Sequence, residues 1–156
     1  MENFVENVNK SEKALGKPVL RGHQKSTLDE KGRMNVPSKF REALGEGFVI
    51  ARHIDSKICC LKIYTESAWG QFNDRLKEIP QEEMSIVKRS IDSQDVEVKS
   101  GRFLVPISLR KHANLNGEAV FIGMEDTAEL WSKEEFDKCN TDTIADAAAI
   151  LKKYGI

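Results

Sequence analysis

Only three cysteines occur in the 156 residues, Cys59, Cys60 and Cys139, and two of them are adjacent. An odd, clustered set gives no disulfide framework and fits a reducing compartment. Histidine is equally sparse. His23, His53 and His112 are far apart, and no Cys or His pair has metal-ligand spacing. A phosphate-cradling loop is missing too, because Gly45-Glu46-Gly47 lacks both a third glycine and a following helix. No apolar run approaches the ~18 residues of a membrane span, and the first residues lack a signal peptide's apolar segment. Without a catalytic constellation, the chain is expected to be a non-enzyme with no cofactor, no metal, no membrane partner and no small-molecule substrate, working in the cytoplasm.

Net charge is small as well, −1, which alone argues against a polyanionic partner. Its distribution argues the other way. Residues 21–41 carry six Lys/Arg against two Asp/Glu, and residues 99–112 carry four Lys/Arg and no acid, while the remainder holds 14 basic and 23 acidic residues. Two locally basic segments therefore stand on an acidic body, and local field is what steers a nucleic acid.

Those two segments share a pattern. Asp29-Glu30-Lys31-Gly32-Arg33-Met34-Asn35-Val36-Pro37 runs on to Arg41, and Lys99-Ser100-Gly101-Arg102-Phe103-Leu104-Val105-Pro106 runs on to Arg110. Gly, Arg, Val, Pro and Arg recur in the same order at a constant offset of 69, which marks an internal duplication. The likeness extends further: Ile63-Tyr64-Thr65 before Trp69 matches Leu130-Trp131-Ser132 before Phe136.

Local signals fill in the elements. Residues 1–17 are polar and read as an arm outside the repeated core. Residues 18–28 suit an edge strand, ending at a turn in which Gly32 supplies φ > 0. Met34–Val36 is a short strand, and Pro37 opens a helix through Leu44. Phe48–Ala51 and Ile58–Tyr64 form a hairpin, with Cys59-Cys60 in its second strand. Thr65 caps a helix with Trp69, Phe72, Leu76 and Ile79 on one face, and Pro80 ends it. Residues 81–91 form a second helix. The second copy replays the order, with strands at Val96–Val98 and Arg102–Val105, a helix at Pro106–His112 and a hairpin of Ala119–Ile122 and Ala128–Trp131. Ser132-Lys133-Glu134-Glu135 is a capping box for a helix holding Phe136. From Thr141 an amphipathic helix places Ile144, Ala148 and Leu151 on one stripe.

Asp-x-x-Gly-Arg, two residues, Val-Pro and a short Phe-Arg-bearing helix, all duplicated, resembles the MraZ family of bacterial transcriptional regulators, over roughly Leu20 to Cys139. The seventeen-residue arm precedes the point where members of that family usually begin. The resemblance implies a mainly β fold with flanking helices (α+β), the double-split or swapped-hairpin AbrB-type barrel, in which two tandem modules form an intrachain pseudo-dimer. On that reading the arm is 1–17, the first module 18–79, a helical connector 80–94, the second module 95–140 and a C-terminal helix 141–156. It also implies a ring-shaped homo-oligomer, associated with the nucleoid, that binds double-stranded DNA at direct repeats upstream of the cell-division and cell-wall gene cluster. The family's DNA-reading signature, Asp-x-x-x-Arg, is intact as Asp29 and Arg33. At the constant offset the second copy keeps Arg102 but places Val98 at the Asp position, with Glu97 one residue out of register, so Arg102 is expected to be held less firmly.

The residue types suit that chemistry. Arginine presents a planar fork able to pair bidentately with a guanine edge or a phosphate. An Asp across the turn holds the guanidinium in one direction by a charged hydrogen bond. Lys31 and Lys99 suit phosphate, as do Lys25, Lys39, Arg41, Arg110 and Lys111, and such contacts fix register without carrying sequence information. Other readings of the same residues are an oligomeric interaction protein without DNA reading and an antitoxin or transition-state regulator with AbrB-type modules. A thiol enzyme at Cys59 is the least supported.

Overall fold

Two three-residue strands, β2 (Arg33–Asn35) and β6 (Arg102–Leu104), pair antiparallel as a ribbon of their own, Met34 opposite Phe103. In both strands the middle residue is buried and its neighbours face outward, the period-2 alternation of a ribbon lying on a core. The computed structural model describes residues 18–55 and 57–156, the side chains of 140–145 excepted. The expected N-terminal arm lies outside these described residues, as does the side chain of Ile144 in the expected C-terminal stripe.

The remaining strands are β1 (His23–Thr27), β3 (Gly47–Arg52), β4 (Leu61–Tyr64), β5 (Gln94–Glu97), β7 (Glu118–Gly123) and β8 (Thr127–Ser132), and they form one antiparallel sheet in the order β1-β7-β8-β4-β3-β5. Each first-copy strand pairs with a strand of the second copy: β1 with β7, β2 with β6, β3 with β5 and β4 with β8. Neither copy closes its sheet without the other. Between the ribbon and the sheet lies a core in which Met34 and Phe103 meet Ile50, Leu61, Ile63, Phe121 and Leu130. Phe103 touches Phe48 and Phe121 edge-on, with centroids 5.1 and 6.3 Å apart, the favourable quadrupolar arrangement.

Short helices close the ends of this core. Pro37 and Pro106 each precede the first helical residue, where a missing N–H costs nothing. A 3-10 turn (Ser38–Phe40) leads into α1 (Arg41–Leu44), and α4 (Ile107–His112) is its counterpart. They bury Phe40, Leu44 and Leu109. Thr65 caps α2 (Glu66–Leu76) by accepting the Ala68 amide at 3.0 Å, and Ser132 caps α5 (Lys133–Lys153) by accepting the Glu135 amide at 3.1 Å. A further helix, α3 (Gln81–Ile91), follows Pro80.

Three expectations shift. Helix α2 ends at Leu76, so Ile79 is not on its inner face but in the following turn and partly exposed; Pro80 disfavours helical geometry at the residue before it. Strand β4 begins at Leu61, which leaves Cys59 and Cys60 in the preceding loop, although Cys60 is still fully buried. The helix begun at Lys133 continues unbroken to Lys153, and residues 146–156 are exposed, Ala148 and Leu151 included. Among the described residues no helix is long and apolar enough to cross a membrane.

Candidate nucleic-acid interface

The two glycine turns are built differently. In the first, the Asp29 amide donates to Arg33 O at 2.8 Å and the Gly32 amide donates to Asp29 O at 3.1 Å, around the loop Glu30-Lys31-Gly32 with Gly32 at φ +83°. In the second, Lys99 and Arg102 exchange both backbone hydrogen bonds, at 2.9 and 3.0 Å, around Ser100-Gly101, both at positive φ. These are the three-residue hairpin closed by a left-handed glycine and the two-residue type I′ hairpin.

One residue is thus missing from the second loop, and that changes the correspondence upstream. Leu28 donates its amide to Gly117 O, and Val98 donates its amide to Glu46 O, at 2.9 Å in each case. Val98 is therefore the counterpart of Leu28, a core-facing residue, and Lys99 stands where Asp29 does. The constant offset placed Val98 at the Asp position because it ignored this deletion. Glu97 pairs with Lys99 at 3.2 Å.

Arg102 does not lack a carboxylate. Its Nη2 donates to Asp29 Oδ2 at 2.6 Å, across the ribbon, while Arg33 Nε donates to the same oxygen at 3.1 Å. The other oxygen, Oδ1, accepts the Lys31 and Arg33 amides at 2.9 and 2.8 Å. A single acid in the first turn thus orients the arginine of each copy, which overturns the expectation of a loosely held Arg102. The Arg33 amide foremost, then the Lys31 amide and the Arg33 guanidinium, hold the Asp29 carboxyl below the usual aspartate range against its partial desolvation. Both arginine side chains stay about two-fifths exposed, at 43% and 40%, so they are oriented and still accessible.

The outward face of the ribbon carries two more residues. Asn35 lies opposite Arg102 and Leu104 lies opposite Arg33, both exposed. Sequence reasoning passed over both. The signal was there, since each follows its arginine by two residues in a strand and so shares its face.

Arg41 and Arg110 brace the turns. Arg41 Nε donates to Val36 O at 3.0 Å, and Arg110 Nη2 donates to Val105 O at 2.8 Å. Each then lies over the other copy's glycine. A Cβ on Gly32 would come within 2.0 Å of Arg110 Nη2, and one on Gly101 within 2.9 Å of Arg41 Cζ. The repeated glycines therefore supply both a left-handed turn and room for an arginine. Lys25, Lys31, Lys39, Lys99 and Lys111 are all exposed: Lys25 on edge strand β1, Lys31 and Lys99 in the turns, Lys39 and Lys111 on the short helices.

The model of the MraZ protein family, described as antitoxin-like, matches residues 19–89 and 97–150. A protein named transcriptional regulator MraZ from Lachnoclostridium phytofermentans is 37% identical over 142 residues, covering 88% of this chain and 99% of its own. Its namesake from Caldanaerobacter subterraneus subsp. tengcongensis is 35% identical over 146 residues, covering 88% and 100%. That of Limosilactobacillus reuteri is 35% identical over 130 residues, covering 80% and 89%. With both repeats inside the match and near-complete coverage of its relatives, the chain belongs to the MraZ family.

Proposed function

We propose that the protein is a transcriptional regulator that binds double-stranded DNA sequence-specifically through the outer face of the β2–β6 ribbon. The observation that carries this reading is the Asp29 carboxylate holding Arg33 and Arg102 together, oriented and exposed, on a two-stranded ribbon. A two-stranded ribbon is an element the major groove admits, and arginine pairs bidentately with guanine O6 and N7 there. Arg33 and Arg102 read base edges, and Asn35 beside them has the donor–acceptor pair that matches adenine N6 and N7. Lys31 and Lys99, with Lys25 and Lys39, neutralise flanking phosphates and set the register. Arg41 acts mainly by holding Gly101 and the end of β2 in place.

The two copies, residues 18–79 and 95–140 joined by the connector 80–94, act as AbrB-type modules interleaved in a pseudo-dimer, each supplying one arginine to a common reading surface. Copies of the chain assemble through a ring, in which residues 141–156 have no assigned part, and the ring presents several such surfaces to direct repeats upstream of the cell-division and cell-wall gene cluster. Matched spacing of surfaces and repeats multiplies weak contacts into avidity without new interactions. This function belongs to the cytoplasm and the nucleoid.

The test is an anisotropy titration of DNA from upstream of the protein's own gene, against a shuffled duplex, at two salt concentrations. Arg33→Ala is expected to cost ~1–3 kcal/mol on the native sequence and little on the shuffled one. Equal affinity of the unaltered protein for both duplexes would replace this function by that of an oligomeric interaction protein.

A further inference from the structure

On the sheet face opposite the ribbon, the alternation of β7 turns Val120 and Ile122 away from the main core into a second, small cluster with Cys60 and Trp131, flanked by Ile58, Phe136 and Cys139. Beside it the loop before β4 brings Cys60 back to the end of β3, where the His53 amide donates to Cys60 O at 3.2 Å. Glu129 approaches from β8. The metal-binding atoms of His53, Cys60 and Glu129 all lie within 4.8 Å of one another.

We propose that His53, Cys60 and Glu129 form a binding site for one divalent d-block cation of the zinc class. Bonds of 2.0–2.3 Å in a tetrahedral site imply ligand–ligand edges of roughly 3.3–3.8 Å, so closure needs movements of only about 1–1.5 Å. The donor set decides the class of ion. Calcium and magnesium take oxygen ligands, whereas one thiolate, one imidazole and one carboxylate suit zinc, cobalt and their neighbours. Charge decides the rest: a thiolate and a carboxylate neutralise a dication beside the buried Cys60, where a net charge is disfavoured.

Two of the three ligands already have a supporting contact. Glu129 Oε1 accepts the Trp131 indole proton at 2.8 Å, which fixes the carboxylate. His53 Nδ1 accepts the Asp55 amide at 3.0 Å, so that nitrogen carries no proton. The fourth position falls to water. Such a cation would tie the β3–β4 hairpin of the first copy to β8 of the second, behind the ribbon and independently of what the ribbon binds. Spacing along the chain could not reveal this set, because Glu129 comes from β8 of the other copy.

Cobalt(II) titration of the chelator-stripped, reduced full chain tests the proposal. Expected are a near-ultraviolet thiolate-to-cobalt band and the intense visible bands of tetrahedral cobalt, saturating at one equivalent and lost on adding zinc. Cys60→Ser should abolish the thiolate band, and Cys59→Ser should leave it. Trp131→Phe, which keeps the packing and drops the bond to Glu129, should retain the bands but weaken binding ~10-fold. Absence of a thiolate–cobalt band in the unaltered protein, or its full retention in Cys60→Ser, overturns the site.

Discussion

Removing the Asp29 carboxylate should disturb two arginines from opposite halves of the chain at once. In Asp29→Ala, Arg33 loses its 3.1 Å partner and Arg102 its 2.6 Å partner. Both side chains are about two-fifths exposed, so the ion pairs themselves contribute little to stability, on the order of 0.2–1 kcal/mol each. The larger effect is on readiness. A long side chain that must be ordered on binding costs about 0.5–1.5 kcal/mol, so two of them cost about 1–3 kcal/mol, a loss of roughly 5- to 150-fold in affinity for the cognate duplex. Loss of a negative charge acts oppositely on any DNA, so affinity for a shuffled duplex should hold or rise. The assay is anisotropy on both duplexes for Asp29→Ala, Arg102→Ala and the double variant. Because Asp29 and Arg102 are in contact, Arg102→Ala should cost less once Asp29 is gone. Equal losses on both duplexes, or strict additivity of the two substitutions, would refute a shared carboxylate as the organiser of the reading surface.

The turns supply a second expectation. Gly32→Ala must both adopt φ +83° and displace the Arg110 guanidinium, whereas Gly45→Ala meets only an unfavourable φ of +65° with nothing within 4 Å; Gly32→Ala should lower stability by ~1–3 kcal/mol in chemical denaturation and by more than Gly45→Ala does. Acid supplies a third. The Asp29 pKa is depressed in the folded state, so its contribution to stability is complete above the unfolded value near 3.8 and disappears as pH falls below that through the folded value. Asp29→Asn should therefore lower stability at neutral pH, leave the strongly acid end comparatively unaffected and so flatten the acid limb of the stability–pH curve in that window; an unchanged acid limb would refute it.

Much of this architecture was legible in the chain because its signals are local. Pro37 and Pro106 mark helix starts, Thr65 and Ser132 cap, Gly32 and Gly101 turn, and each copy's alternation places Met34 or Phe103 inward. These depend on φ/ψ preferences and side-chain periodicity, which neighbours in sequence impose. The duplication, the basic tips and the arginines at their ends were equally plain, since counting and comparison suffice to find them.

Three-dimensional pairing decided what lies across the repeat. Once β2 lies antiparallel to β6, a carboxylate in the first turn can reach the arginine of the second, and a one-residue deletion can put Lys99 where Asp29 would be without leaving Arg102 unpartnered. The same crossing sends Arg110 over Gly32 and Arg41 over Gly101, and it brings His53, Cys60 and Glu129 together on the far face of the sheet. None of these contacts joins residues whose proximity the local sequence dictates. They follow from burying Met34 and Phe103 in one core, which fixes the ribbon and with it every side chain at its rim.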